Sequence, residues 1–245
     1  YFKFCWTPEG SNPGSEDMDA AKWKPNLKIG GLNLGSEPVI DGYEGKSGAV
    51  WRVSKYFPVD DKECVDPSKV IDLTPRLRRP STTDAPLAFS LPKGKWHLVR
   101  IGHTSTGHTN ATGGGGRGLE CDKFSAAAVD KQFDNWFAAI YRHAPIDVAR
   151  KVLTRLHVDS WEAGSQNWSS NFMDEFKKRR GYDLKPWLLL YAGVPLKSSE
   201  ESEKVLRDIR LTIGDLVNDV FFTEVRRLAD EYRVKLSTEC VAPTM

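Results

Sequence analysis

Two carboxylates, Asp159 and Glu162, stand among tryptophans and side-chain amides in the stretch DSWEAGSQNW at 159–168. Carboxylates so close together offer general acid–base chemistry, and Gln166 and Asn167 add paired donors and acceptors. Trp161 and Trp168 contribute flat apolar faces. Acids, amides and indoles together suit a sugar, whose hydroxyls take bidentate polar partners and whose C–H face takes an aromatic platform. Glu162 is the leading candidate for a general acid, because indoles that exclude water push a carboxyl's pKa toward neutrality. Asp159 serves equally well as its catalytic neighbour or as a cap for the following loop.

Elements of two kinds must position these groups. The apolar run at 153–158 predicts a buried strand that stops near Asp159, where Ala163-Gly164-Ser165 breaks the pattern. A second strand is predicted at 234–240, and it too ends in an acid, Glu239. That residue suits a second catalytic carboxylate, a cation ligand or an acceptor for sugar hydroxyls. Between the strands the spacing predicts helices. One spans 170–180, capped by Ser169 or Ser170 and stopped by Gly181. A short one at 187–191 is opened by Pro186. A long amphipathic one covers 200–232, with Gly214 as its weak spot. Upstream, Val129, Phe133, Trp136, Phe137 and Ile140 mark one face of a helix at 125–143, with Ser125 as N-cap. Glu120, Asp122 and Lys123 cluster just before it. They offer further ligand contacts, or acids that stabilise the helix N-terminus through its dipole.

Strand–helix–strand with carboxylates at successive strand ends is the sequence pattern of a (β/α)8 TIM-type barrel, whose sites lie at the C-terminal ends of its strands. Only 117–245 shows it, so a partial catalytic barrel is expected there, completed by the rest of the parent polypeptide. A chain running from Tyr1 to Met245 is expected to be an internal piece of a larger protein. Residues 1–116 read as β-rich and loop-rich, with candidate strands at 49–57, 70–73 and 96–101. They are expected to form an inserted or accessory β domain. The glycine-rich loop at 103–118 lacks the Lys-Ser/Thr of a phosphate-binding loop and the strand–GxGxxG–helix context. It is better suited to lie beside a site, where His103 and His108 either reach ligand or face solvent.

With 35 Lys+Arg against 33 Asp+Glu, the charge balance points to neither nucleic acid nor an anionic membrane. The Lys177-Lys178-Arg179-Arg180 run reads as a solvated helix end. No apolar run is long enough for membrane insertion. The four cysteines, Cys5, Cys64, Cys121 and Cys240, show no metal-binding spacing and leave disulfide pairing open.

DSWEAGSQNW followed by FKKRRGYD at 176–183, together with DLT at 72–74, PKGKWHLVRIGHTSTG at 92–107 and GLECDKFS at 118–125, resembles the α-L-rhamnosidases of glycoside hydrolase family 106. The resemblance implies an (α/β)8 catalytic barrel with β-sandwich additions, often exported to the periplasm or beyond. It implies hydrolysis of terminal α-L-rhamnosyl linkages with inversion, on rhamnose-containing oligo- or polysaccharides such as pectin, and calcium in the active site. It places the general acid at Glu162 with Asp159 beside it, and the general base on a later barrel strand beyond this chain. Residues 1–116 would then be an insertion into a barrel whose first strands precede Tyr1. Glu239 becomes a subsite or calcium residue, and Trp161, Gln166, Asn167, Trp168, Glu120, Asp122, Lys123 and His103 stand as sugar contacts.

Overall fold

The structure is a computed structural model that describes Lys3 and residues 34–50, 57–76, 90–109, 116–159 and 164–239. In chain order the helices and strands are α1 (Tyr43–Lys46), α2 (Ala126–Asn135), α3 (Phe137–His143), α4 (Ile146–Val152), β1 (Arg155–Val158), α5 (Phe172–Arg180), α6 (Ser199–Leu216), α7 (Thr223–Glu231) and β2 (Lys235–Thr238). A 3-10 segment, Lys185–Ala192, joins α5 to α6, and a π turn, Val217–Phe222, joins α6 to α7. The strands pair in parallel, Arg155 with Lys235 through Val158 with Thr238. Parallel neighbours need a long crossover, which α5 to α7 supply. The fold class is α/β.

Both strands fall inside their expected ranges. The helix predicted at 125–143 is instead two. Ser125 caps α2 by accepting from the Ala128 N–H. At Trp136 the backbone leaves helical geometry, with φ −115° and ψ −79°. The break leaves the Trp136 side chain in solvent and returns Phe137 to the interior. The rings of Phe133 and Phe137 then lie 5.1 Å apart, and both reach Tyr232. Ser169 and Ser170 do not cap α5, whose cap position, Asn171, makes no side-chain capping bond. Gly181 ends the helix at φ 82°, as expected.

The helix predicted over 200–232 also has an interruption, at the π turn rather than at Gly214. Ser198 caps α6 by accepting from the Glu201 N–H. Val205, Leu206, Ile209, Ile213 and Leu216 pack into one apolar cluster with Phe124, Phe172, Phe176, Leu184 and Leu190. Val225, Leu228 and Ala229 of α7 join a second cluster with Val129, Phe133, Phe137 and Leu156. One uninterrupted helical face does not serve both, and the wider π turn takes up part of the change in phase.

The strands predicted at 70–73 and 96–101 are not strands, and most of 49–57 lies outside the described residues. At the first, Asp72 accepts from the Thr74 N–H and starts a 3-10 turn, Thr74–Arg76, which ends any extended run. At the second, the Trp96 indole is tied to the Pro92 carbonyl. Leu98 there is 75% exposed. That run has no ladder partner among the described residues, and an unpaired strand is not stable. Instead the first part packs onto the second: Ile40 is in the α6 cluster, its N–H donates to the Gly193 carbonyl, and Val65 bridges Leu196. Among the described residues no helix is long and apolar enough to cross a membrane.

Candidate functional site

The parallel register decides what meets at the strand ends. Side chains alternate along β1, so Leu156 faces the interior while His157 and, two residues on, Asp159 face away. Across the pair His157 Nδ1 lies 2.9 Å from Ser237 Oγ, and the Glu239 N–H donates to the Val158 carbonyl at 3.0 Å. Asp159 and Glu239 therefore leave adjacent strands at the same level. One ligand atom from each of His157, Asp159 and Glu239 falls within 4.8 Å of the others, and all three residues are exposed. Sequence reading passed over His157, although the i, i+2 spacing of HVD on a strand was signal enough. Trp161 and Glu162 lie outside the described residues.

A second set of candidates is drawn together by Asp122. Its Oδ1 accepts from the Phe124 N–H at 2.9 Å and from Gln166 Nε2 at 2.6 Å, and its Oδ2 accepts from the Ser169 hydroxyl at 2.6 Å. Gln166 Oε1 in turn accepts from the Lys123 N–H at 3.0 Å, and Nε2 also donates to the Trp168 carbonyl. The Lys123 side chain is buried, paired with Glu120 at 2.7 Å and lying 5.7 Å from the centre of the Phe221 ring. Thus Glu120, Asp122, Lys123 and Gln166 form one network joining the segment before α2 to the segment after β1. Asn167 donates to the Ser47 carbonyl. Ser169 and Phe221, more than 40 residues away from Asp122, carried no signal in the sequence.

Trp168 is half-buried at the edge of the first cluster. Its ring lies 5.3 Å from Phe172 and 5.7 Å from Tyr191, with exposed His103 at 6.3 Å. Asn171 donates to the Phe124 carbonyl. Ser165 Oγ, Asn171 Oδ1 and Tyr191 Oη are buried with no hydrogen-bond partner among the described residues, and burial raises the Tyr191 phenol's pKa. The ends of the glycine-rich loop are pinned by a Thr109–Leu119 bridge and by the Glu120 N–H donating to the His108 carbonyl. The His108 ring then lies against Gly164, two residues after Glu162 in the sequence. Cys64 and Cys121 are free thiols, and burial raises the pKa of Cys121. Cys5 and Cys240 lie outside the described residues.

The alpha-L-rhamnosidase model of glycoside hydrolase family 106 matches residues 14–243. A Formosa agariphila protein named "Putative beta-glucuronidase" is 34% identical over 182 residues, which are 74% of this chain and 15% of that protein. The solved structure of a rhamnosidase from Novosphingobium sp. PP1Y is similar with a TM-score of 0.69 and 28% identity, over 89% of this chain and 21% of that one. The chain spans no more than about a fifth of either relative's length. With nearly its whole length matched by one family model and a rhamnosidase as structural relative, the chain belongs to glycoside hydrolase family 106.

Proposed function

We propose that the complete protein is an exported glycosidase that releases terminal α-L-rhamnose with inversion, and that this chain contributes part of a (β/α)8 barrel. Residues 1–116 are an insertion on that barrel in this reading. The observation that carries it is the register that sets Asp159 and Glu239 side by side at parallel strand ends, in a chain of this family. Glu162, three residues beyond Asp159, is the general acid. Protonated, it gives its proton to the glycosidic oxygen as the bond from the anomeric carbon breaks. A carboxylate on a later barrel strand takes a proton from water, whose oxygen bonds to the anomeric carbon from the opposite face. Such a pair stands about 6.5–9.5 Å apart to admit the water. Trp161 and Trp168 cover the apolar face and the C6 methyl of the sugar, with His103 and Asn167 beside them.

Calcium belongs to this reading, and two of the three donors at the strand ends suit it. Asp159 and Glu239 offer hard carboxylate oxygens, which calcium takes, while the His157 imidazole is a poor calcium ligand and already contacts Ser237. Held there, the ion supplies positive charge and coordination sites for sugar hydroxyls.

The test is release of rhamnose from an aryl α-L-rhamnoside by the complete protein beside Glu162→Gln. Loss of about 10²-fold or more in the variant supports the acid assignment, and full activity removes it. The Formosa agariphila relative favours a second reading, a glycosidase specific for a uronic acid. Turnover of an aryl β-glucuronide with none of the rhamnoside would select it.

A further inference from the structure

We propose that Asp122 is a positioning residue rather than a sugar ligand, acting through Gln166 and Ser169 to set the path of the chain that follows Glu162. The inference rests on the glycosidase reading for its catalytic consequence, and on hydrogen-bond geometry alone for the latch itself.

The first step is a count of capacity. A primary amide has two N–H donors and one carbonyl acceptor. In Gln166 both donors are engaged, by Asp122 and the Trp168 carbonyl, and the carbonyl accepts from the Lys123 N–H. Asp122 has three donors on its two oxygens. Two of those contacts are 2.6 Å long, and the one from the Ser169 hydroxyl is in the range of charge-assisted O–H···O bonds, which are the stronger class. Ser169, which gives one of them, is 6% exposed. Side chains bonded in this way hold protein to protein and have little left for a sugar hydroxyl.

The second step is where the latch sits. β1 is fixed by its ladder to β2 as far as Val158, and the Glu239 N–H extends that ladder by one bond. The chain is fixed again at Gln166 and Ser169, on either side of Trp168. The segment carrying Glu162 is thus bounded by a sheet on one side and by Asp122 on the other. A displacement of about 1 Å at a reacting group is enough to cost 10²-fold in rate, so loosening the second boundary acts on turnover more than on binding.

The experiment uses the complete protein, with Asp122→Asn as the near-isosteric change and Ser169→Ala as the milder second variant. Kinetics on an aryl α-L-rhamnoside are read across pH, and hydrogen exchange is followed in peptides covering 164–171. The expected result for Asp122→Asn is a fall in kcat of about tenfold or more, KM within about twofold, and a displaced alkaline limb of the pH profile, which reports the general acid. Exchange in 164–171 should speed up while β1 stays protected, with Ser169→Ala showing the same pattern at smaller amplitude. A raised KM with unchanged kcat would make Asp122 a sugar ligand and overturn the proposal. So would unchanged kcat per folded enzyme, and so would unchanged exchange in both variants. If the unmodified protein cleaves no aryl glycoside, the glycosidase reading fails separately, and the exchange data still decide whether the latch exists.

Discussion

The imidazole of His108 rests against the α-carbon of Gly164, so a Cβ placed there would meet the ring, at 2.7 Å from Cε1. The contact joins the glycine-rich loop to the segment that follows Glu162. Gly164 is also held at φ 73°, a region that costs a residue with a Cβ roughly 1–2 kcal/mol. Gly164→Ala is therefore expected to destabilise on two counts, separable because His108 is exposed and can swing aside. Adding His108→Ala should remove the steric part and leave about 1–2 kcal/mol of backbone cost. Denaturant unfolding of the four proteins of that cycle makes the measurement. Full recovery in the double variant would show that the backbone conformation relaxes freely.

Tyr191 presents the reverse case, a polar atom that the fold does not use. Its hydroxyl is buried without a partner among the described residues while its ring packs edge-on against Trp168. Leaving such a group unsatisfied costs about 1–3 kcal/mol. Tyr191→Phe should keep the ring contact and raise stability, by about 1 kcal/mol. A drop in stability would mean that the hydroxyl has a bound partner, water or ligand, in solution.

The α/β class and both strands were legible because apolar runs ending in acids repeat at 153–159 and 234–239. Helix ends were legible where one residue decides them, as with Ser125 and Gly181. What failed had local and non-local causes. Trp136 fits the apolar spacing of a single helix, yet Phe133 and Phe137 both reach Tyr232, nearly 100 residues on, only through a break. The π turn left a trace: buried positions run to 213 and 216 on one phase and resume at 225, 228 and 229 on another. Spacing alone does not say how a helix absorbs that slip. Ser169 looked like a helix cap because its bond to Asp122 spans 47 residues. Aspartates explain the absent strand at 70–73, since the side chain of Asp72 competes locally for the backbone.

That same aspartate gives a pH prediction. Asp72 pairs with Lys185 at 2.8 Å and accepts from the Thr74 N–H, and these partners pull its pKa down to about 2. A carboxyl depressed below its unfolded value of about 4 stabilises the fold above that pH, and the contribution fades as pH falls toward about 2. Asp72→Asn should accordingly be less stable than the unmodified protein at neutral pH, with the gap closing through the acid range. Unfolding midpoints compared between about pH 6 and pH 3 test this. A gap independent of pH would assign the loss to the turn alone.

Asp159 and Glu239 leave neighbouring strands with carboxylate oxygens within 4.8 Å, close enough for like charges to repel, and a cation held between them would offset that repulsion. Neutralising one should therefore have opposite effects according to the metal. With a chelator present, Glu239→Gln relieves repulsion and should melt no lower than the unmodified protein. On the proposed calcium site, excess calcium should stabilise the unmodified protein by mass action, as any ligand binding only the folded state does, and the variant much less. Melting curves of the complete protein in both conditions read the two effects together. Equal calcium shifts in the two proteins would take Glu239 out of the cation site. A variant that melts far lower even in chelator would show that Glu239 holds the end of β2 by bonds of its own.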